Sequence, residues 1–200
     1  MVDKYSNFAE LAANEAVGVD YQIRVKNRGT PVAIIAPHGG RIEPGTLEIA
    51  ATIAGDSLSF YGFEALRGAS TRGSLHVTSA RFDEPQALAL VGEAQKAIAI
   101  HGRADDGDPM TVGVGGLDTV LRDEIVTALT AAGFDAAIVT QGNLAGRDSA
   151  NICNRGASGA GVQLELPRTL RTQLTTEPKR LDAFRDAVRY AALASVESSG

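Results

Sequence analysis

The 200-residue chain reads as one α/β domain with a mixed, mainly parallel sheet flanked by helices. Three observations lead there. Short runs rich in Val, Ile and Ala alternate with longer segments of helical periodicity. Two of those runs, PVAIIA and KAIAIHG, are apolar at nearly every position, as in strands covered on both faces. No repeat, low-complexity segment or linker divides the chain, and its length suffices to bury one core.

The elements follow in order. Residues 5–13 form a short amphipathic helix, and 20–27 (DYQIRVKN) alternate polar and apolar as a half-buried strand does. Residues 32–36 make a fully covered strand. Pro44, with its fixed φ, suits a first helical position, so a helix is expected over 44–54, stopped by Gly55. Strands are expected at 57–63 and 73–78, a helix at 85–93, then strands at 97–100, 111–114, 136–139 and 161–166. Two long helices cover 117–132 and 177–196, and the core spans about 20–197.

Composition narrows the function classes. Hydrophobic content of 44% with 22% charge excludes a disordered or collagen-like chain. A net charge of -5 without any basic run argues against a nucleic-acid partner. The basic residues are almost all arginine, 15 against 4 lysines; codon bias explains this most simply, although arginine is also the better fork for carboxylates. Cys153 is the sole cysteine, so neither a disulfide framework nor a cysteine-rich metal site is available. The segment MVDKYSNFAELA lacks a signal-peptide pattern, and no run reaches membrane-spanning length. The expectation is a monomer, cytoplasmic or released without a signal peptide, with no membrane partner.

Chemistry concentrates in APHGGRIEPGT. A strand over 32–36 carries His38 to its C-terminal end, where ligands gather in such folds, and Gly39 and Gly40 permit a sharp turn towards Glu43. Imidazole and carboxylate at the mouth of a parallel sheet suit a divalent metal, and catalytic zinc commonly takes three protein ligands. His101 repeats the pattern, with a buried run before it and Gly102 after. A lone histidine there is more often a core residue bonded to a carbonyl. Two in the same context, with a carboxylate five residues from the first, favour ligation. His76, in SLHVTSARFDEP, lies within an expected strand and is read as substrate-proximal or structural, with ligation the alternative.

In GVQLELPR, alternation puts Gln163 and Glu165 on the face opposite Val162, Leu164 and Leu166. Glu165 is either a general base or an ordinary strand residue, and spacing alone leaves both open. Arg155 follows Asn154 and precedes a glycine-rich loop leading to the Glu165 strand, so it is the candidate clamp for a substrate carboxylate. Asn154 and Arg81 join it as substrate-side candidates, with Arg147, Arg168 and Arg171 as weaker members of a basic patch.

Taken together, APHGGRIEPGT, SLHVTSARFDEP, AIAIHG and NICNRGASGAGVQLELP resemble the poly-γ-glutamate hydrolase family of bacteriophages and bacilli. The resemblance runs from about Tyr21 to Arg189. It implies a compact zinc peptidase fold related to metallocarboxypeptidases, one Zn2+ held by His38, Glu43 and His101, and Glu165 as catalytic carboxylate. The His-x-x-x-x-Glu spacing follows that family and departs from the His-x-x-Glu of larger carboxypeptidases. The implied substrate is a γ-glutamyl polymer. A deacylase of small N-acyl acidic amino acids, or a non-catalytic domain binding an anionic polymer, are the alternatives.

Two patterns are set aside. Gly113–Gly116 (GVGG) lacks full dinucleotide-loop spacing and is read as a strand-to-helix turn. Asp105, Asp106 and Asp108 resemble a calcium loop without its glutamate, and are read as a solvated turn.

Overall fold

Seven strands form one sheet in the order β1-β3-β2-β4-β7-β5-β6 in the computed structural model, which describes residues 3–67 and 75–197. The strands are β1 (Tyr21–Lys26), β2 (Val32–Gly40), β3 (Ser59–Ala65), β4 (Lys96–Arg103), β5 (Val112–Gly116), β6 (Ala136–Ile138) and β7 (Val162–Pro167). Neighbours run parallel except β1 on β3 and β5 on β7, so the expected mixed, mainly parallel sheet is present.

Alternation along the strands divides the core in two. Val32, Ile34 and Ala36 of β2, Ile98 and Ile100 of β4 and Leu164 of β7 face one side. There they meet α2 (Thr46–Ala54), α4 (Thr119–Ala131), α5 (Arg168–Thr176) and α6 (Pro178–Glu197). Phe184 of α6 is fully buried and stacks edge-on with Phe134 at 5.2 Å. Ala33, Ile35, Ala97 and Ala99 face the other side, under α1 (Phe8–Asn14) and α3 (Pro85–Glu93). Asn7 caps α1 by accepting from the Glu10 amide, and Glu84 caps α3 from Ala87.

Several expectations need correction. The helix expected from Pro44 begins at Thr46, because Gly45 holds φ +94, a left-handed conformation outside the helix. The strand expected over 73–78 falls partly outside the described residues. Its described part, Leu75–Thr78, is irregular and leads into a 3-10 turn at Ser79–Arg81. Gly113–Gly116 lies inside β5 and is no turn: a Cβ on Gly115 would come within 2.4 Å of the Ala145 carbonyl, so the glycines let a loop and a strand approach closely. Helix α5 was not expected. It starts directly after β7 without a local side-chain cap, and Asp105, 64 residues earlier, accepts from the Thr169 amide and hydroxyl instead. The acidic turn thus contains two residues with structural tasks, since Asp108 also accepts from the Thr111 amide and pairs with Arg103.

Candidate active site

The parallel strands β2, β4 and β7 end at a cleft of about 760 Å³, which receives His38, His101 and Glu165. His101 and Glu165 are register partners on adjacent strands, and both share the side of Ala97 and Ala99. His38 would by alternation share the side of Ile34 and Ala36. A register shift between Ala36 and Gly39 re-aims it beside Phe82 and His101. Gly39 sits where a Cβ would approach the Phe63 carbonyl to 2.7 Å, and Gly102 where one would fall 1.3 Å from Arg171 Nη1. Both histidines are therefore followed by glycine because a neighbour occupies the space of a side chain. The chain does not turn sharply at Gly39; β2 continues to Gly40.

The donor atoms converge. His38 Nδ1 lies 3.2 Å from Glu43 Oε1 and 3.2 Å from His101 Nδ1, and Glu43 Oε2 lies 3.7 Å from His101 Nδ1. Nitrogen and oxygen ligands about 2.0–2.1 Å from a tetrahedral zinc stand roughly 3.3 Å apart, so this triangle has the right size. His38 Nε2 contacts the Val77 carbonyl at 2.8 Å, which can only accept, so that nitrogen carries the proton. Its Nδ1 then presents a lone pair towards a carboxylate and a second imidazole. Such a set draws a cation between its members, a proton when no metal is bound or else a divalent metal, and its nitrogen and oxygen donors fit zinc. Backbone orientation of a ligating histidine by its other nitrogen is what such sites use.

His76 is a fourth candidate: donor atoms of His38, Glu43 and His76 lie within 4.8 Å of one another. Its Nδ1 pairs with Asp3 Oδ1 at 2.6 Å, and Asp3 also accepts from the Thr78 amide and Arg81. His76 belongs to a loop rather than a strand.

Electrostatics separates the carboxylates. Burial would raise Glu43, but the charge of His38 and hydrogen bonds to His101 and His38 outweigh it, and the group is held well below the usual range. Glu165 is pushed up to about 7, chiefly by burial, with Glu43 adding to the rise and His101 opposing it. His76 is lowered to about 4 by burial and then by repulsion from His38. A carboxyl near 7 is poised to exchange protons at neutral pH.

The remaining candidates scatter. Arg155 does not reach the cleft. It ends a 3-10 turn (Ile152–Asn154) whose side chains are buried, and its own side chain is exposed. The next residues pack against Ala94, at the start of β4 and the opposite end of the sheet. Asn154 is a buried tie that is not among the cleft's lining residues: it donates to the Gly146 and Asp148 carbonyls and accepts from the Leu117 and Gly161 amides. Arg81 is an exposed partner of Asp3. Arg168 is exposed and Arg171 is buried under Gly102, and neither lines the cleft. Arg147 does, and it is the one Lys or Arg among the cleft's described lining residues. Sequence reasoning missed Asp3, Ser79 and, apart from Arg147, the loop 140–148; none carries a local signature, because each acts through residues distant in the chain.

Comparison with known proteins identifies the family. The sequence pattern of the poly-gamma-glutamate hydrolase family matches residues 5–189. The SPbeta prophage-derived protein YoqZ of Bacillus subtilis is 42% identical over 175 residues, 86% of this chain and 61% of YoqZ. YndL of the same bacterium is 38% identical over 173 residues, 86% of this chain and 67% of YndL. The chain thus spans about two thirds of the length of these relatives. A solved bacteriophage poly-gamma-glutamate hydrolase superposes with TM-score 0.90 at 32% identity, covering 98% of this chain and 99% of that one. A structure described as zinc-free apo YndL superposes with TM-score 0.89 at 34% identity, covering 97% and 99%. With a family pattern spanning nearly the whole chain and two solved relatives matching it end to end, the chain belongs to the poly-gamma-glutamate hydrolase family.

Proposed function

We propose that the chain is a zinc-dependent amidohydrolase that cleaves γ-glutamyl amide bonds of poly-γ-glutamate. The observation that carries this is the convergence of His38, Glu43 and His101 at ligand spacing with Glu165 beside them in a cleft. His101 is assigned as third ligand over His76 because it sits on a strand paired on both sides. Its nitrogen also approaches both other donors within 3.7 Å. Zinc, when bound, would supply a Lewis acid and lower the pKa of a coordinated water.

The chain's own residues do the rest. Glu165 takes a proton as general base and returns it to the leaving amine as general acid, a cycle its raised affinity for protons suits. Glu43, ionised and fixed by the Gly102 amide at 2.8 Å, would offset part of the charge of a bound metal. His38 is oriented by the Val77 carbonyl. Arg147 supplies the cleft's positive charge for a substrate carboxylate, the role expected of Arg155 from its sequence context.

The test combines metal analysis of protein purified without chelator or nickel with an assay on poly-γ-glutamate of both chiralities. Near-stoichiometric zinc with depolymerisation is expected. A metal-free protein indifferent to added zinc would overturn the reading, and release of acyl groups from small N-acyl glutamates alone would redirect it to a deacylase.

A further inference from the structure

Beneath the cleft, a chain of buried side chains runs from backbone to base. Asn151 Oδ1 accepts from the Cys153 amide at 3.2 Å, and Asn151 Nδ2 donates to Gln163 Oε1 at 2.9 Å. Gln163 Nε2 donates both to Glu165 Oε1 at 2.8 Å and to the Leu144 carbonyl at 3.0 Å. Asn151 and Gln163 are 6% and 3% exposed although both border the cleft. We infer that Gln163, its amide orientation fixed by Asn151, is the positioning residue of Glu165 and ties that carboxylate to the cleft loop 140–148.

Polarity makes the argument. An amide side chain can be flipped end for end unless its neighbours forbid it. Here both ends of the chain are backbone groups of fixed character. The Cys153 N–H can only donate, which places Asn151's oxygen towards it and its NH2 towards Gln163. The Leu144 carbonyl can only accept, which places Gln163's NH2 towards it and towards Glu165. The two constraints agree. Glu165 Oε1 is therefore always an acceptor, and when the carboxyl holds a proton, that proton resides on Oε2. The oxygen that does the proton transfer is thus chosen by the side chains packed around Glu165. The loop is held by the same amide: a Cβ on Gly146 would come within 2.6 Å of the Gln163 amide, so the loop lies directly on it. Displacement of Leu144 removes one of the two acceptors that keep the NH2 in place.

The inference rests on the reading of Glu165 as base, and the experiment separates the two. Ionised Asn151→Asp cannot donate, so it sets a carboxylate oxygen against Gln163 Oε1 and the amide that holds Glu165 loses the partner that fixes it. Turnover should fall about tenfold to a hundredfold, the effect of losing a hydrogen bond to a charged group, with KM and metal content little changed. Gln163→Met removes the donor without reversing anything and should give a similar loss. It stands alone should Asn151→Asp fail to fold. In a Glu165→Ala background neither change should lower the residual rate further, whereas a general loosening of the fold would lower it in both backgrounds. Independently of activity, protein labelled with side-chain 15N-glutamine should show one slowly exchanging NH2 pair. That pair should vanish in Gln163→Met and shift in Glu165→Gln. Full turnover in both variants, equal losses with and without Glu165, or a Gln163 amide indifferent to Glu165→Gln would each overturn the inference. Wild-type turnover in Glu165→Gln would overturn the reading of the base, and with it the role given to Gln163.

Discussion

Replacing Glu165 by glutamine gives a stability signal that needs no substrate. The group is 5% exposed and its pKa rises from 4.5 to about 7, chiefly because burial disfavours the charged form. A folded-state pKa raised above the unfolded one contributes stability that is complete below pH 4.5 and is lost as pH climbs through about 7. At about 1.4 kcal/mol per pH unit, that loss comes to about 3 kcal/mol. Glutamine is neutral throughout and nearly the same shape, so it loses nothing across the same window. In the presence of chelator, the two proteins should keep a fixed stability difference near pH 4.5. By pH 8 the Gln variant should have gained about 3 kcal/mol on wild type. For a chain of this length that gain is roughly 6–12 °C in Tm. Urea unfolding followed by circular dichroism at half-unit pH intervals measures it, and every other titrating group cancels to first order in the difference. Parallel curves for the two proteins would refute both the raised pKa and the argument from burial.

The other expectations are simpler to check. His38→Ala and His101→Ala should each lose zinc and activity while His76→Ala keeps the metal, by metal analysis after gel filtration; zinc lost from His76→Ala and kept by His101→Ala would exchange their roles. Arg147→Ala should lower catalytic efficiency on a γ-glutamyl oligomer by about one to two orders of magnitude, whereas Arg155→Ala should leave it unchanged. Phe184→Ala should cost about 3–5 kcal/mol in chemical unfolding, because a fully buried ring and its partner Phe134 leave a cavity that cannot collapse. Cys153 is fully buried and its thiol is pushed up to about 12 by burial, so it should resist Ellman's reagent at pH 8 until the protein is denatured.

What could be read from the sequence depended on whether the cause was local. The covered strands β2 and β4 announce themselves as apolar runs because both faces are buried, and each delivers a histidine to the cleft. The glycine after each histidine was a true signal with a different cause, since close packing on Phe63 and Arg171 demands it. Helix α5 was invisible because its cap lies 64 residues away. Arg155 misled for a related reason: adjacency to a glycine-rich loop says nothing about which end of the sheet that loop occupies. Gln163 was legible as a neighbour of Glu165 on one face, but its partner Asn151 and the carbonyl of Leu144 emerge only when the loop folds back.

The way loop 140–148 is fastened bears on how such proteins diversify. Its anchors are backbone groups: the carbonyls of Leu144, Gly146 and Asp148 take hydrogen bonds from Gln163 and Asn154, and that of Ala145 from the Gly116 amide. Little of that fastening consults the identity of the loop's side chains, apart from the glycines at 142 and 146 and the Asp148 carboxylate, which accepts from the Ala150 amide. Whereas Gly142 (φ +79) and Gly146 (φ +61) hold backbone conformations that a side chain would strain, positions 140, 141, 143, 144 and 147 can therefore mutate without loosening the loop. A lineage could trade one polymer, chain length or stereochemistry for another there while the reactive groups stay untouched, and a library randomised at those positions would sample that freedom directly.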